Sequence, residues 1–150
     1  MWVVFYDPVV AIQIIASLYA FAFLKPSGFV LPVICAIFLI ISLSLFWSSI
    51  FTANSLDFAF SSRVGKLIRI GPYSVIRHPF YLSYILAWLS TTLLFNSIPL
   101  WFTLVYLVTF YISSARSEEK VILQTEHSSE YLDYRQNVGM FLPRIWKWKN

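Results

Sequence analysis

Residues 79–115 read PFYLSYILAWLSTTLLFNSIPLWFTLVYLVTFYISSA, a stretch without Asp, Glu, Lys or Arg whose only clear interruption is Asn96 and Ser97, just ahead of Pro99. A helix needs about 20 apolar residues to cross roughly 30 Å of hydrocarbon, with about 17 at the lower limit. The two halves, 79–95 and 98–115, each meet that limit. A two-residue break leaves room only for a tight connection, so the stretch predicts a helical hairpin set in a bilayer.

Upstream, two further apolar runs at 8–24 and 29–53 have the same character. The expected fold is therefore an all-α integral membrane protein of about four transmembrane helices, ending in a cytosolic helical segment. The 150 residues are 59% hydrophobic and 12% charged, with a mean hydropathy of +0.71, outside the range of soluble domains. They are read as one domain, 1–150. The first run lacks a basic leader and a small-residue cleavage pattern, so it reads as a retained span. Cys35 is the sole cysteine, which rules out an intrachain disulfide and suits a small buried side chain.

The charge, +4 net, is unevenly distributed. Arg63, Lys66, Arg69 and Arg77 lie between the second and third spans. Arg116, Lys120, Arg135, Arg144, Lys147 and Lys149 follow the fourth, whereas the opposite connections carry only Lys25. Cytoplasmic connections are enriched in Lys and Arg, so both termini and the polar segments 54–78 and 116–145 are expected in the cytoplasm. Trp146 and Trp148 among the terminal charges point to an interfacial anchor rather than nucleic-acid binding. Within the spans, Gln13, Ser42 and Ser44 can be satisfied by helix backbone or a neighbouring helix. Ser83, Ala87 and Thr91 form a small-residue stripe suited to close helix packing. The only histidines are His78 and His127, no Cys/His cluster has metal-ligand spacing, and no Gly-rich nucleotide motif is present. No metal is expected.

Chemistry concentrates in the polar segments. In GPYSVIRHPFYL, residues 71–82, Pro79 suits the first turn of a helix and drives His78 into an extended cap conformation. The helix start, with its unpaired N–H groups and positive dipole end beside Arg77 and His78, can take an anion such as a carboxylate. The alternative is that both side chains simply reach lipid phosphates. In ARSEEKVIL, residues 115–123, Glu118 and Glu119 are adjacent on a helix and point about 100° apart, so at most one aims squarely into a pocket. Arg116 and Glu119, three apart, are expected on one face. Solvated helix-end charges are the plain reading of this acidic pair; an anion site and a carboxylate site under one small roof are the functional one.

These motifs resemble the membrane methyltransferase family of isoprenylcysteine carboxyl methyltransferase and, more distantly, the phospholipid N-methyltransferases. The resemblance rests on GPYSVIRHPFYL, the hairpin LLFNSIP, the SEE of ARSEEKVIL, and EYLDYRQNVGMFLPRI (130–145), in that order over about residues 65–145. The chain departs from the family pattern at Gly65, at Ser83, and at His127 with Ser128. The resemblance implies S-adenosyl-L-methionine as cofactor, with Tyr73, His78, Pro79, Tyr81 and Glu119 in contact with it, together with the stretch Lys66, Leu67 and Ile68. It implies Arg116 as the side chain that meets the substrate.

S-adenosylmethionine carries a carboxylate, an ammonium, a diol, a ring and a sulfonium, so its site needs opposite charges close together beside an aromatic wall. His78 and Pro79, with Arg77, suit the carboxylate; Glu118 or Glu119 suits the ammonium or diol; Tyr73 and Tyr81 suit the ring or sulfonium. In-line methyl transfer requires positioning rather than a nucleophilic side chain. The resemblance implies a membrane lipid or lipidated molecule as acceptor, with a carboxylate first and a phospholipid amine as the alternative; an amine acceptor would need a base such as His127 or a glutamate. An NADPH-dependent membrane reductase and a noncatalytic four-helix membrane protein are the competing readings, and the oligomeric state is open.

Overall fold

The structure, a computed structural model, describes residues 5–25, 28–53 and 67–144. The described residues form five α-helices: α1 (Tyr6–Phe23), α2 (Val30–Ala53), α3 (Pro79–Phe95), α4 (Ile98–Ile122) and α5 (Ser128–Asn137). A 3₁₀ turn, Gly71–Ser74, precedes α3. Helices α1, α2 and α4 are long and apolar enough to cross a membrane, whereas α3, with 17 residues, is a shorter apolar helix. At about 1.5 Å per residue α3 extends roughly 26 Å, a little less than the hydrocarbon thickness. Helix α4 continues past the apolar run that ends at Ala115, so the acidic pair extends the span helix without a break.

The chain divides into two compact units, one of residues 1–43 and 83–113 and the other of residues 44–82 and 114–150. In the first, the usual pattern of burial is inverted. Large apolar side chains such as Phe21 and Phe102 are exposed, while Gln13, Cys35, Ser42, Ser83, Ser90, Thr92 and Thr103 are buried. A bilayer accounts for this: lipid solvates the apolar faces, and polar groups must find partners between helices. Gln13 on α1 donates to Thr91 and Thr92 of α3 at 3.4 and 3.3 Å and accepts from Thr103 of α4. Ser42 of α2 donates to the Ser83 carbonyl at 2.7 Å, and Ser90 donates to the Cys35 carbonyl at 2.8 Å. The expected stripe therefore divides: Ser83 and Ser90 serve α2, while Thr91 faces Gln13 of α1. Seven residues is nearly two full turns, so position 90, unlike 91, stays in line with 83.

The tight hairpin has a definite local cause. Asn96 adopts a positive φ of 45°, which an Asn tolerates better than most residues. Its N–H closes α3 on the Thr92 carbonyl at 2.8 Å, and its Oδ1 accepts from Trp101 Nε1 at 2.8 Å.

In the second unit the two polar segments meet. Ile76 and Gly139 form an isolated parallel bridge. Arg77 N–H donates to the Gly139 carbonyl at 2.8 Å and His78 N–H to Met140 at 3.1 Å. The residues after α5 thus form a strap along the approach to α3. Tyr131, Tyr134 and Val138 make a small buried core against Leu67, Ile122 and Leu123. Gly71, at φ +57°, abuts Thr52, whose Oγ1 would lie 2.6 Å from an added Cβ.

Candidate active site

Helix α3 starts where the sequence places it. Pro79 occupies its first position, and the His78 carbonyl accepts from Leu82 N–H at 3.1 Å. The strap takes up the His78 N–H, so the side chains of 77 and 78 are held by backbone bonds on a fixed frame.

Glu119 is the hub. Its side chain is only 5% exposed, against 52% for Glu118. Arg77 donates from Nε and NH2 to Glu119 Oε1, both at 2.9 Å, and His78 Nε2 lies 3.1 Å from the same oxygen. An ionised carboxylate only accepts, so Nε2 carries the proton. Arg135 Nε stands 3.7 Å from Oε2. Burial acts to raise the pKa of Glu119, but the His78 hydrogen bond and the Arg77 charge outweigh it and hold the carboxyl at about 2, below an ordinary 4.5.

Glu118, next along α4, sits at the rim. Tyr81 donates to its Oε1, and His78 Nδ1 lies 3.6 Å from its Oε2. Burial, with Glu119 adding a like charge, pushes its carboxyl up. The neighbouring glutamates are thus driven apart in acidity by where they point. The His78 and Tyr81 rings stack at 5.9 Å, and Phe141 from the strap approaches His78 at 6.0 Å, forming an aromatic wall beside the two carboxylates.

Of the sequence-derived candidates, Arg77, His78, Tyr81, Glu118 and Glu119 come together, and Pro79 is buried at the start of α3. Tyr73 is buried in the 3₁₀ turn, its carbonyl accepting from Tyr134, and burial raises its phenol to about 12. Leu67 and Ile68 are half-buried, with Leu67 against the Tyr131 and Tyr134 core. Lys66 lies outside the described residues, as do Trp146 and Trp148. Arg116 is exposed, with no hydrogen bond or ion pair drawn to it among the described residues. It does not share the burial of Glu119, contrary to the spacing argument. The buried line of α4 passes through Leu107, Tyr111, Ala115 and Glu119, one position away from Arg116.

Sequence reasoning left Arg135, Phe141 and the strap unassigned. The aromatic spacing of EYLDYRQNVGMFLPRI was visible, but nothing local says that its last residues pair with residues 76–78. Gly139 was the available signal: an added Cβ would lie 1.9 Å from the Leu142 carbonyl oxygen, so the turn into the strap needs glycine there.

A sequence model of the phospholipid methyltransferase family matches residues 27–127. Over 80 residues, 53% of this chain, the sequence is 35% identical to the protein-S-isoprenylcysteine O-methyltransferase of Saccharomyces cerevisiae (strain ATCC 204508 / S288c). The match spans 33% of that relative, so the chain covers about a third of its length. No solved structure matches the chain significantly.

Proposed function

Since the chain belongs to the phospholipid methyltransferase family, we propose that it transfers a methyl group from S-adenosyl-L-methionine to a membrane-borne acceptor, with a lipidated carboxylate as the first candidate. The observation that carries this reading is the cluster of His78, Tyr81, Glu118 and Glu119 where α3 begins and α4 ends. The 35% identity to an isoprenylcysteine O-methyltransferase supports a carboxylate acceptor. The family match equally favours a second acceptor class, the amine of a phospholipid.

The residues fit the donor's chemistry. Half-exposed Glu118 suits an ammonium or a ribose diol, and the ring wall of His78, Tyr81 and Phe141 suits an adenine or a sulfonium. Arg77, engaged with Glu119, has the supporting role of keeping His78 and Glu119 in register. When bound, the cofactor supplies an electrophilic methyl carbon. The protein's own part is to hold the acceptor in line and to exclude water, which strengthens the attraction between an anionic acceptor and a cationic donor. Exposed Arg116 suits an acceptor carboxylate arriving from the lipid side. The Lys- and Arg-rich connections favour a cytoplasmic position for this site and both termini.

Titration calorimetry on the detergent-solubilised protein tests the donor site. Saturable S-adenosylmethionine binding is expected, weakened about tenfold or more by His78→Ala, which removes part of the ring wall, or by Glu119→Ala, which removes the carboxylate that holds the His78 ring in place. Wild-type affinity in both variants contradicts the assignment. Incubation with methyl-labelled S-adenosylmethionine and native lipid extract identifies the acceptor: alkali releases label from an ester and leaves an N-methyl product intact.

A further inference from the structure

Arg77, Arg135 and Arg144 line one cavity of about 470 Å³ in the second unit, with Gln136, Leu132 and Met140, and among the described residues no Asp or Glu lines it. The volume lies within the roughly 300–1,000 Å³ of small-ligand pockets. Among the described residues one carboxylate counters this charge, that of Glu119, which pairs with Arg77 and stands 3.7 Å from Arg135 Nε. Three guanidinium groups against one carboxylate leave a net positive wall.

Part of this charge serves the fold. Arg77 NH1 donates to the carbonyls of Arg135 and Val138, and Arg144 NH1 to those of Arg135 and Gln136. These bonds satisfy the carbonyls that the end of α5 leaves unpaired. They engage Arg77 almost fully, with its Nε and NH2 on Glu119. Arg135 NH1 and NH2 and Arg144 Nε and NH2 are different: no hydrogen bond from them is drawn among the described residues. Two guanidinium groups with donors to spare, in a concave site that no acid lines among the described residues, have the geometry that takes a tetrahedral oxyanion by several charge-assisted bonds at once. Leu132 and Met140 add an apolar margin suited to the carbon portion of such a ligand.

From this we infer that the cavity, which borders the donor cluster through the Arg77–Glu119 pair but is not lined by His78, Tyr81 or Glu118, is a binding site for a phosphate-class anion held by Arg135 and Arg144. The phosphate belongs either to a lipid headgroup or to a soluble molecule. The inference stands independently of methyl transfer, because it rests on the arginines and the cavity alone.

Arginine footprinting with phenylglyoxal, read by mass spectrometry on the wild-type full chain in phosphatidylcholine nanodiscs, tests it directly. Phosphatidic acid in the nanodisc, or inorganic phosphate in solution, is expected to slow modification of Arg135 and Arg144 relative to Arg69, which is paired with Glu130 and Asp133. Protection by phosphatidic acid alone assigns a lipid phosphate; protection by inorganic phosphate as well assigns a soluble one. Retention of phosphatidic acid by native mass spectrometry, or phosphate binding by calorimetry, should fall about tenfold or more in R135Q/R144Q. Leu132→Trp, which narrows the cavity and leaves every charge in place, should weaken binding as well. Failure of both probes to protect either arginine, or undiminished binding in R135Q/R144Q and Leu132→Trp, overturns the site.

Discussion

Glu119 accepts from Arg77 and His78 on one oxygen and has Arg135 beside the other, so its loss leaves a guanidinium that is itself only 8% exposed without its carboxylate. Breaking a buried ion pair from one side typically costs about 3–5 kcal/mol. Arg77→Met and Glu119→Leu should each destabilise the protein by roughly that amount, and the double variant by clearly less than their sum, as read by chemical denaturation in detergent. Additive costs would show that the two side chains act independently. The depressed acidity of Glu119 adds a pH dependence. Its folded pKa of about 2 lies below the ordinary 4.5, so the folded state binds this proton less readily than the unfolded state. The stability it contributes is fully present above pH 4.5 and is lost as the pH falls toward 2. Between those limits wild-type stability should fall more steeply than that of Glu119→Gln, which has no proton to take up. Parallel profiles would remove Glu119 as the cause. Which of the adjacent glutamates turns inward was not readable from their spacing. A 100° offset says that one must, and the packing of α4 selects the one in line with Ala115 and Tyr111.

The helices were legible because each signal is local. Apolar runs, Pro79 as a start and Asn96 as a break act within a turn or two of the backbone, and all lie where composition suggested. The exit of α4 was less legible, since charged residues can continue a helix into water as readily as end it. The strap was not legible at all: its two main-chain bonds join segments far apart in the chain, and backbone groups carry no side-chain signature. Gly139 is the residue on which it turns. Gly139→Ala should lower stability by more than about 1 kcal/mol, because the new methyl group has no room beside the Leu142 carbonyl. Hydrogen exchange checks this locally: the amides of Arg77 and His78 should lose protection first. Unchanged protection at both would mean that the strap does not depend on that turn.

Exposed apolar faces surround buried serines, threonines and a glutamine in the first unit, and ion pairs fill the second, so the molecule combines a lipid-solvated part with a charged one. The basic connections predict that both termini are cytoplasmic. Reporter fusions at the N- and C-terminus should both read as cytoplasmic; a split result would mean an odd number of spans, as when α3, the shortest apolar helix, fails to cross. Membrane residence, the helices and the family could all be read from the chain alone, because partition into lipid depends on composition summed over about twenty neighbouring residues and motifs are strings of neighbours. The partners of Glu119, the exposure of Arg116 and the arginine-lined cavity emerged only on folding. They depend on ångström distances between remote segments, and no local pattern of residues encodes those distances.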